Sequence, residues 1–253
     1  MKRDEKQLLS TVITASQIIE LIGEEGSTTP VFIAKKLNLS RSNVHRLLLT
    51  LKKLGYVEER PGSKFYLTFK LFELGNTVPH KKRLIDSARP SMLRLAQLTG
   101  QTVNHGILYD DLVLYIDKVE ANTYLKLDRS IGNSDPVHST SLGKVLLAFQ
   151  EAGDREKILN RLQLIPTTPQ TITEAQLLQE ELERVRREGV AFDRQELSRE
   201  LNCVAAPVFD CQGRICSAIS ISGPVDKFTI PQAEEAVESL KATVREIQRS
   251  LCL

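Results

Sequence analysis

Apolar residues recur at helical spacing from Leu8 to Ile22, at Leu8, Val12, Ala15, Ile18, Ile19 and Ile22, and the run closes on Gly23 and Gly26. A second helix starts at once. Thr29 is a capping residue, Pro30 suits a first turn that needs no backbone N–H, and Phe32, Ile33, Ala34 and Leu37 form an apolar side. Asn38-Leu39 end it. Ser40 then caps a third helix, in which Val44, Leu47, Leu48, Leu51 and Leu54 make one stripe that stops at Gly55. There the period drops from 3.6 to 2, and Tyr56–Arg60 and Lys64–Thr68 read as strands around the turn Pro61-Gly62-Ser63. Two short helices joined by a tight turn, the second longer, and then a hairpin predict a winged helix-turn-helix.

The remaining chain alternates differently. Residues 71–88 are expected to connect the halves as a linker helix, with Val78-Pro79-His80 marking a break, and Met92, Leu95, Ala96 and Leu98 predict a helix ending at Gly100. Thr102–Tyr109 and Leu112–Val119 read as strands joined at Asp110-Asp111, and Tyr124–Ile131 as a third. A helix is expected from about Ser141 to Glu151. Thr173 with Gln176 reads as a capping box for another helix, ending at Gly189. Strands return near Val190–Asp193, Cys203–Phe209 and Ile215–Ser222, the last two joined by Asp210–Gly213, and a final helix runs from about Pro231. Strands, a helical middle and strands again predict an α+β domain. The expected division is a DNA-binding domain over 1–70, a linker helix over 71–88 and a second domain over 89–253.

Composition narrows the class. Of 253 residues, 41% are hydrophobic and 26% charged, the balance of a soluble globular protein. No apolar run approaches the roughly 18 residues of a membrane span, and the charged start Met1-Lys2-Arg3-Asp4-Glu5-Lys6 is not a signal peptide. A cytoplasmic protein with no membrane partner is expected. Cys203, Cys211, Cys216 and Cys252 form no C-x-x-C pair, so neither a zinc site nor a disulfide scaffold is indicated; at least three are expected as reduced thiols in or near a core. No cofactor or metal is implied. An enzyme is disfavoured: Gly143-Lys144 lacks the other glycine of a P-loop, the four histidines fit no H-E-x-x-H motif, and there is no G-x-S-x-G. A pairing of Cys203 with His105 or His138 has no local support.

Charge is the more informative quantity. The net value is only +2, yet nine basic residues between Gly26 and Lys70 face two acids, Glu58 and Glu59, giving that segment +7. A concentrated positive field suits a polyanion such as double-stranded DNA. On the third helix Ser40, Arg41, Ser42, Asn43, His45 and Arg46 are polar. Arg41, Ser42 and His45 are placed for base edges, where Arg suits guanine and Asn suits adenine, and Arg46 and Lys52 for phosphates. Arg60 and Lys64 on the hairpin would touch backbone or minor groove. A three-helix protein-interaction module is the alternative, and the hairpin and the +7 segment weigh against it.

Three stretches carry a family resemblance. Ser40-Arg41-Ser42-Asn43-Val44-His45-Arg46-Leu47-Leu48, with Leu54-Gly55-Tyr56-Val57 and Tyr66–Gly75, is similar to the DNA-binding half of IclR-type (isocitrate lyase regulator) bacterial transcription factors. Pro136–Ala148 and Asn202–Pro224 resemble that family's effector domain, and the likeness runs from about Val12 to Leu251. Within the family, Lys70–Gly75 and Ser139–Ala148 resemble repressors of 2-keto-3-deoxygluconate and sugar-acid catabolism. The resemblance implies a profilin-like, GAF-related effector fold and pairing through Leu8–Ile22 into a homodimer, with dimers pairing again through effector domains. A two-fold dimer in turn expects a near-palindromic operator.

The resemblance also implies a pocket for a small carboxylate effector. Its side chains match Asp193, Cys203, Ser220 and Ser222, its backbone N–H donors Ser141 and Leu142, and its apolar wall Tyr124 and Leu127. Considered as residues alone, Ser139–Gly143 is either an ordinary cap or an anion-binding helix start. Ser220 and Ser222 share one face of a strand, which is either solvent-facing or a pocket wall. A carboxylate at Asp193 would repel a carboxylate ligand, so it either accepts ligand hydroxyls or orients a water or the Cys203 thiol. A ligand-independent architectural DNA binder would not need this second domain.

Overall fold

The computed structural model describes residues 8–78, 81–120 and 130–252. The chain divides into two compact units, Met1–Pro79 and His80–Leu253.

In the first unit, α1 (Ser10–Glu25), α2 (Pro30–Lys36) and α3 (Arg41–Lys53) precede β1 (Val57–Arg60), β2 (Lys64–Leu67) and α4 (Phe69–Asn76). The predicted caps are in place: Thr29 accepts from Phe32 N–H and Ser40 from Asn43 N–H, each at 3.3 Å. Asn38 takes a left-handed φ of 52° in the turn between α2 and α3, a conformation its short polar side chain tolerates. Ile18, Ile22, Ile33, Val44, Leu48, Val57 and Phe65 pack into the core of this unit. β1 and β2 pair antiparallel with Arg60 opposite Lys64. One feature has no periodic signal in the sequence: Thr28 forms a two-way backbone bridge to Phe65, adding a third strand position to the wing.

The second unit is a six-stranded antiparallel sheet of order β5-β4-β3-β8-β7-β6. Its strands are β3 (Thr102–Tyr109), β4 (Leu112–Val119), β5 (Ser134–Pro136), β6 (Ala191–Arg194), β7 (Leu201–Phe209) and β8 (Ile215–Pro224). α5 (Lys81–Thr99), α9 (Ile230–Glu235) and α10 (Val237–Leu251) pack on one face with Val103, Val204, Ile219 and Ile221. α6 (Ser141–Ala148), α7 (Ala152–Leu159) and α8 (Ala175–Glu188) cover the other with Val113, Ala191, Ala205 and Ala218. This is the helix-and-sheet effector fold that the α+β pattern predicts.

Several expectations need correction. The stretch 71–88 is not one linker helix: α4 ends at Asn76 and α5 begins at Lys81 and runs on to Thr99, with Pro90 inside it. Thr173 and Gln176 form no capping box, because α8 starts after Glu174, which makes no side-chain cap. Its end is as predicted, with Gly189 left-handed at φ 73°. Of the expected strand Tyr124–Ile131, residues 124–129 lie outside the described residues, and Ser130 and Ile131 are not strand; β5 forms at Ser134–Pro136. The cysteines are less buried than expected: Cys203 and Cys216 are half-buried, while Cys211 and Cys252 are exposed, and none is disulfide-bonded. Among the described residues no helix is long and apolar enough to cross a membrane.

Candidate DNA-binding surface and effector pocket

Burying Val44, Leu47, Leu48 and Leu51 leaves Arg41, Ser42, Asn43, His45 and Arg46 exposed together on the opposite side of α3. Ser40 is occupied as the helix cap. Lys52 and Arg60 are exposed but not idle. Lys52 Nζ meets Glu59 at 2.8 Å, and Arg60 meets Glu58 at 2.6 Å while its guanidinium lies 4.5 Å over the Tyr66 ring. Lys64 is exposed across from Arg60. The two acids of the basic segment thus hold two of its nine cations. Lys70 has a different role, donating to Leu54 O at 2.6 Å and lying over Tyr56, so it ties the end of α3 to the hairpin.

In the second unit, sheet register assembles the pocket. Asp193 on β6 pairs with Cys203 on β7, Cys203 with Ser222 on β8, and Ser222 with Thr102 on β3. One level along, Ser220 pairs with Asn104 and Asn104 with Lys118 on β4. Paired residues share a face, so a polar row crosses the sheet beneath the start of α6. Ser141, Leu142, Asp193, Cys203, Ser220 and Ser222 line one pocket. All but the half-buried Cys203 are buried. Tyr124 and Leu127, expected as its apolar wall, lie outside the described residues. The space left between the lining groups is about 30 Å³, room for a single water.

At the head of α6, Thr140 accepts from Gly143 N–H at 3.0 Å and donates to Pro136 O. The N–H groups of Ser141 and Leu142, in the first turn, have no carbonyl partner within the helix. Gly143 permits this placement, since a Cβ there would overlap the Val137 backbone and the Thr140 hydroxyl.

Asp193 Oδ1 accepts from the N–H groups of Glu196 (2.7 Å) and Leu197 (3.4 Å), while its Oδ2 has no partner among the described residues. Burial, reinforced by the Glu196 carboxylate, raises its pKa to about 7, against the opposing pull of Lys144 and the two backbone donors. Near neutral pH, Oδ2 therefore carries a proton in a substantial fraction of molecules. Lys144, fully buried on α6, meets Glu196 at 2.6 Å and Glu181 of α8 at 3.4 Å, joining the pocket floor to the outer helix layer. The Cys–His alternative has no geometry. His105 is three residues from Thr102 and so faces the opposite side of the sheet from Cys203, and His138 Nε2 contacts Ile165 O at 3.1 Å. Burial lowers the His105 value to about 4, so it is neutral.

Sequence reasoning missed Asn104, Thr102, Tyr115 and Lys118, which also line the pocket. The signal for Asn104 was a polar residue at an inward position of an otherwise apolar strand.

A winged helix carrying a basic recognition surface, followed by a separate domain with a polar buried pocket, defines a DNA-binding transcription regulator with an effector domain. Residues 11–61 match the IclR helix-turn-helix domain, and residues 76–249 match the bacterial transcriptional regulator IclR C-terminal domain. The chain belongs to the IclR family. It is 35% identical over 244 residues to the HTH-type transcriptional regulator KdgR of Escherichia coli (strain K12), covering 96% of this chain and 93% of that one. The crystal structure of Thermotoga maritima IclR is similar with a TM-score of 0.74 at 31% identity, covering 96% of this chain and 99% of that one. An IclR homolog from Microbacterium hydrocarbonoxydans, complexed with 4-hydroxybenzoate, shares the fold (TM-score 0.84, 23% identity, 95% and 98% coverage).

Proposed function

We propose that this regulator represses a catabolic operon and releases its operator when a small carboxylate, a sugar acid or keto acid, enters the pocket. The observation that carries the reading is the convergence of buried polar groups on one space: two serine hydroxyls, two first-turn N–H groups and a carboxyl that burial keeps protonated in part of the molecules near neutral pH. Such groups are costly to bury without a partner, and an anion supplies one. Protonation removes the repulsion expected between Asp193 and a carboxylate ligand. The 4-hydroxybenzoate bound in the Microbacterium homolog is itself a carboxylate, and the resemblance to sugar-acid repressors favours a hydroxylated one here. Ligand entry that moves the pocket walls would shift the DNA-competent population.

For DNA, the reading places Arg41, Ser42, Asn43 and His45 in the major groove and Arg46, Lys52, Arg60 and Lys64 on backbone. The exposed Leu8, Leu9, Val12 and Ile13 at the start of α1 would form the homodimer seam, and effector domains could pair dimers into a tetramer. Thermal unfolding against 2-keto-3-deoxygluconate, gluconate, pyruvate and 4-hydroxybenzoate tests the sensor. A ligand at 100 times its Kd adds about 2.7 kcal/mol, or roughly 5–10 °C. The shift should shrink in Ser220→Ala while operator affinity stays intact. No shift with any acid sinks the effector reading and leaves DNA binding standing.

A further inference from the structure

The two pocket serines are not free to turn. Asn104 on β3 is buried, and its side-chain amide donates to Ser222 Oγ at 2.9 Å and to Ser220 Oγ at 3.3 Å. An amide nitrogen carries two hydrogens, so both are used, one on each serine. Each hydroxyl oxygen is thereby an acceptor toward Asn104, and each keeps one hydrogen of its own. Among the described residues neither serine donates that hydrogen to a protein acceptor. Both hydroxyls line the pocket, so the unspent hydrogens have the ligand space as their remaining direction.

We propose that Asn104 is the positioning residue of the effector site: it holds Ser220 and Ser222 as hydrogen-bond donors toward the ligand. This rests on the effector reading above and adds a chemical class to it. With the two serines donating, the pocket presents their hydroxyls and the first-turn N–H groups of Ser141 and Leu142 as four donors. It therefore selects a group that only accepts, an ionised carboxylate, over a carboxamide of the same shape, whose NH₂ would face donors. Discrimination comes from the unpaired donors the wrong ligand leaves behind.

The test is a double-mutant cycle read by calorimetric titration with 2-keto-3-deoxygluconate and with pyruvate. Asn104→Leu, which keeps the branched heavy-atom shape and removes the donor, should weaken acid binding about 10-fold, the cost of misdirecting hydrogen bonds to a charged group. In a Ser220→Ala/Ser222→Ala background the same substitution should change affinity less than about twofold, because there is nothing left to position. Asn104→Asp, which would accept from the serines instead, should lose more than Asn104→Leu. Operator affinity without ligand should be unchanged throughout, which checks that the variants fold. Equal losses from Asn104→Leu in both backgrounds overturn the proposal, since Asn104 would then act directly on the ligand or on the fold. A ligand-free readout separates the two layers. The Asn104 side-chain amide resonances should shift in the double-serine variant, and if they do not, the positioning claim fails whatever binds. If neither acid binds the wild-type protein, the effector reading fails and takes the selectivity claim with it.

Discussion

Two lysine–glutamate pairs show how differently the two units use charge. Beside the wing, Lys52 and Glu59 meet at 2.8 Å with side chains 46% and 38% exposed; beneath the pocket, Lys144 and Glu196 meet at 2.6 Å with 0% and 7% exposed. The separations are nearly equal and the media are not. Water and salt screen the first pair, so it contributes about 0–1 kcal/mol and either partner can leave. The second has no solvent to fall back on, and removing one partner strands the other at a cost of about 3–5 kcal/mol. The first kind of pair suits the proposed DNA contact of Lys52, because a phosphate could then displace Glu59. A sensor needs the second, because its buried groups must hold one arrangement until a ligand changes it.

The contrast can be broken most directly at Lys144. Lys144→Met should cost about 3–5 kcal/mol in urea unfolding by stranding Glu196, whereas Lys52→Met should stay within about 1 kcal/mol. A small loss at Lys144 would mean that burial does not separate the two pairs.

A smaller effect is expected from acidity. Asp193 is faced by Glu196 from its own loop, Lys144 from α6 and Cys203 from β7, and Lys118 of β4 lines the same pocket. With its folded value raised to about 7, the native state keeps a proton that the unfolded chain releases near pH 4. Stability therefore falls as pH rises across that window and levels off above about 7. Acid effectors should likewise bind up to about tenfold more weakly per pH unit above 7. Asp193→Asn, a permanent donor, should flatten that profile. An unchanged slope would show that the proton is elsewhere.

On the DNA side, Arg46→Ala should lower the slope of log affinity against log salt by about 0.9, the value of one phosphate contact. No change would place Arg46 off the backbone. The smallest effect is expected of Glu59→Gln. Releasing Lys52 should tighten operator binding by about two- to fivefold at low salt and less at high salt. Weaker binding would mean that the ion pair orients Lys52 rather than occupying it.

Much of this architecture can be read from local pattern. The stripe Val44, Leu47, Leu48 and Leu51 defines which side of α3 is buried and so which residues face out. Thr29, Ser40 and Gly189 mark helix ends by chemistry that acts within one turn. The same local reasoning failed where neighbours in space decide. Thr173 has the spacing of a capping box, but α8 begins at Ala175 and leaves it outside. Met92, Leu95, Ala96 and Leu98 predict only the last part of α5, yet packing of Ala88, Met92 and Leu95 against the sheet carries the helix through Pro90. The family resemblance supplied the pocket residues Asp193, Cys203, Ser220 and Ser222. It did not supply Asn104, which lies more than 110 positions from the serines it holds.

The sequence by itself determined the two-part organisation, the basic recognition helix and wing, and the family, because periodicity, caps and clustered charge are properties of neighbouring residues. Only the tertiary structure decided that Lys52 and Arg60 are already paired, that Asp193 is buried enough to hold a proton near neutrality, and that Asn104 turns two serines toward one space. Each of these depends on dielectric surroundings or cross-strand register. Both arise only when distant segments exclude water together.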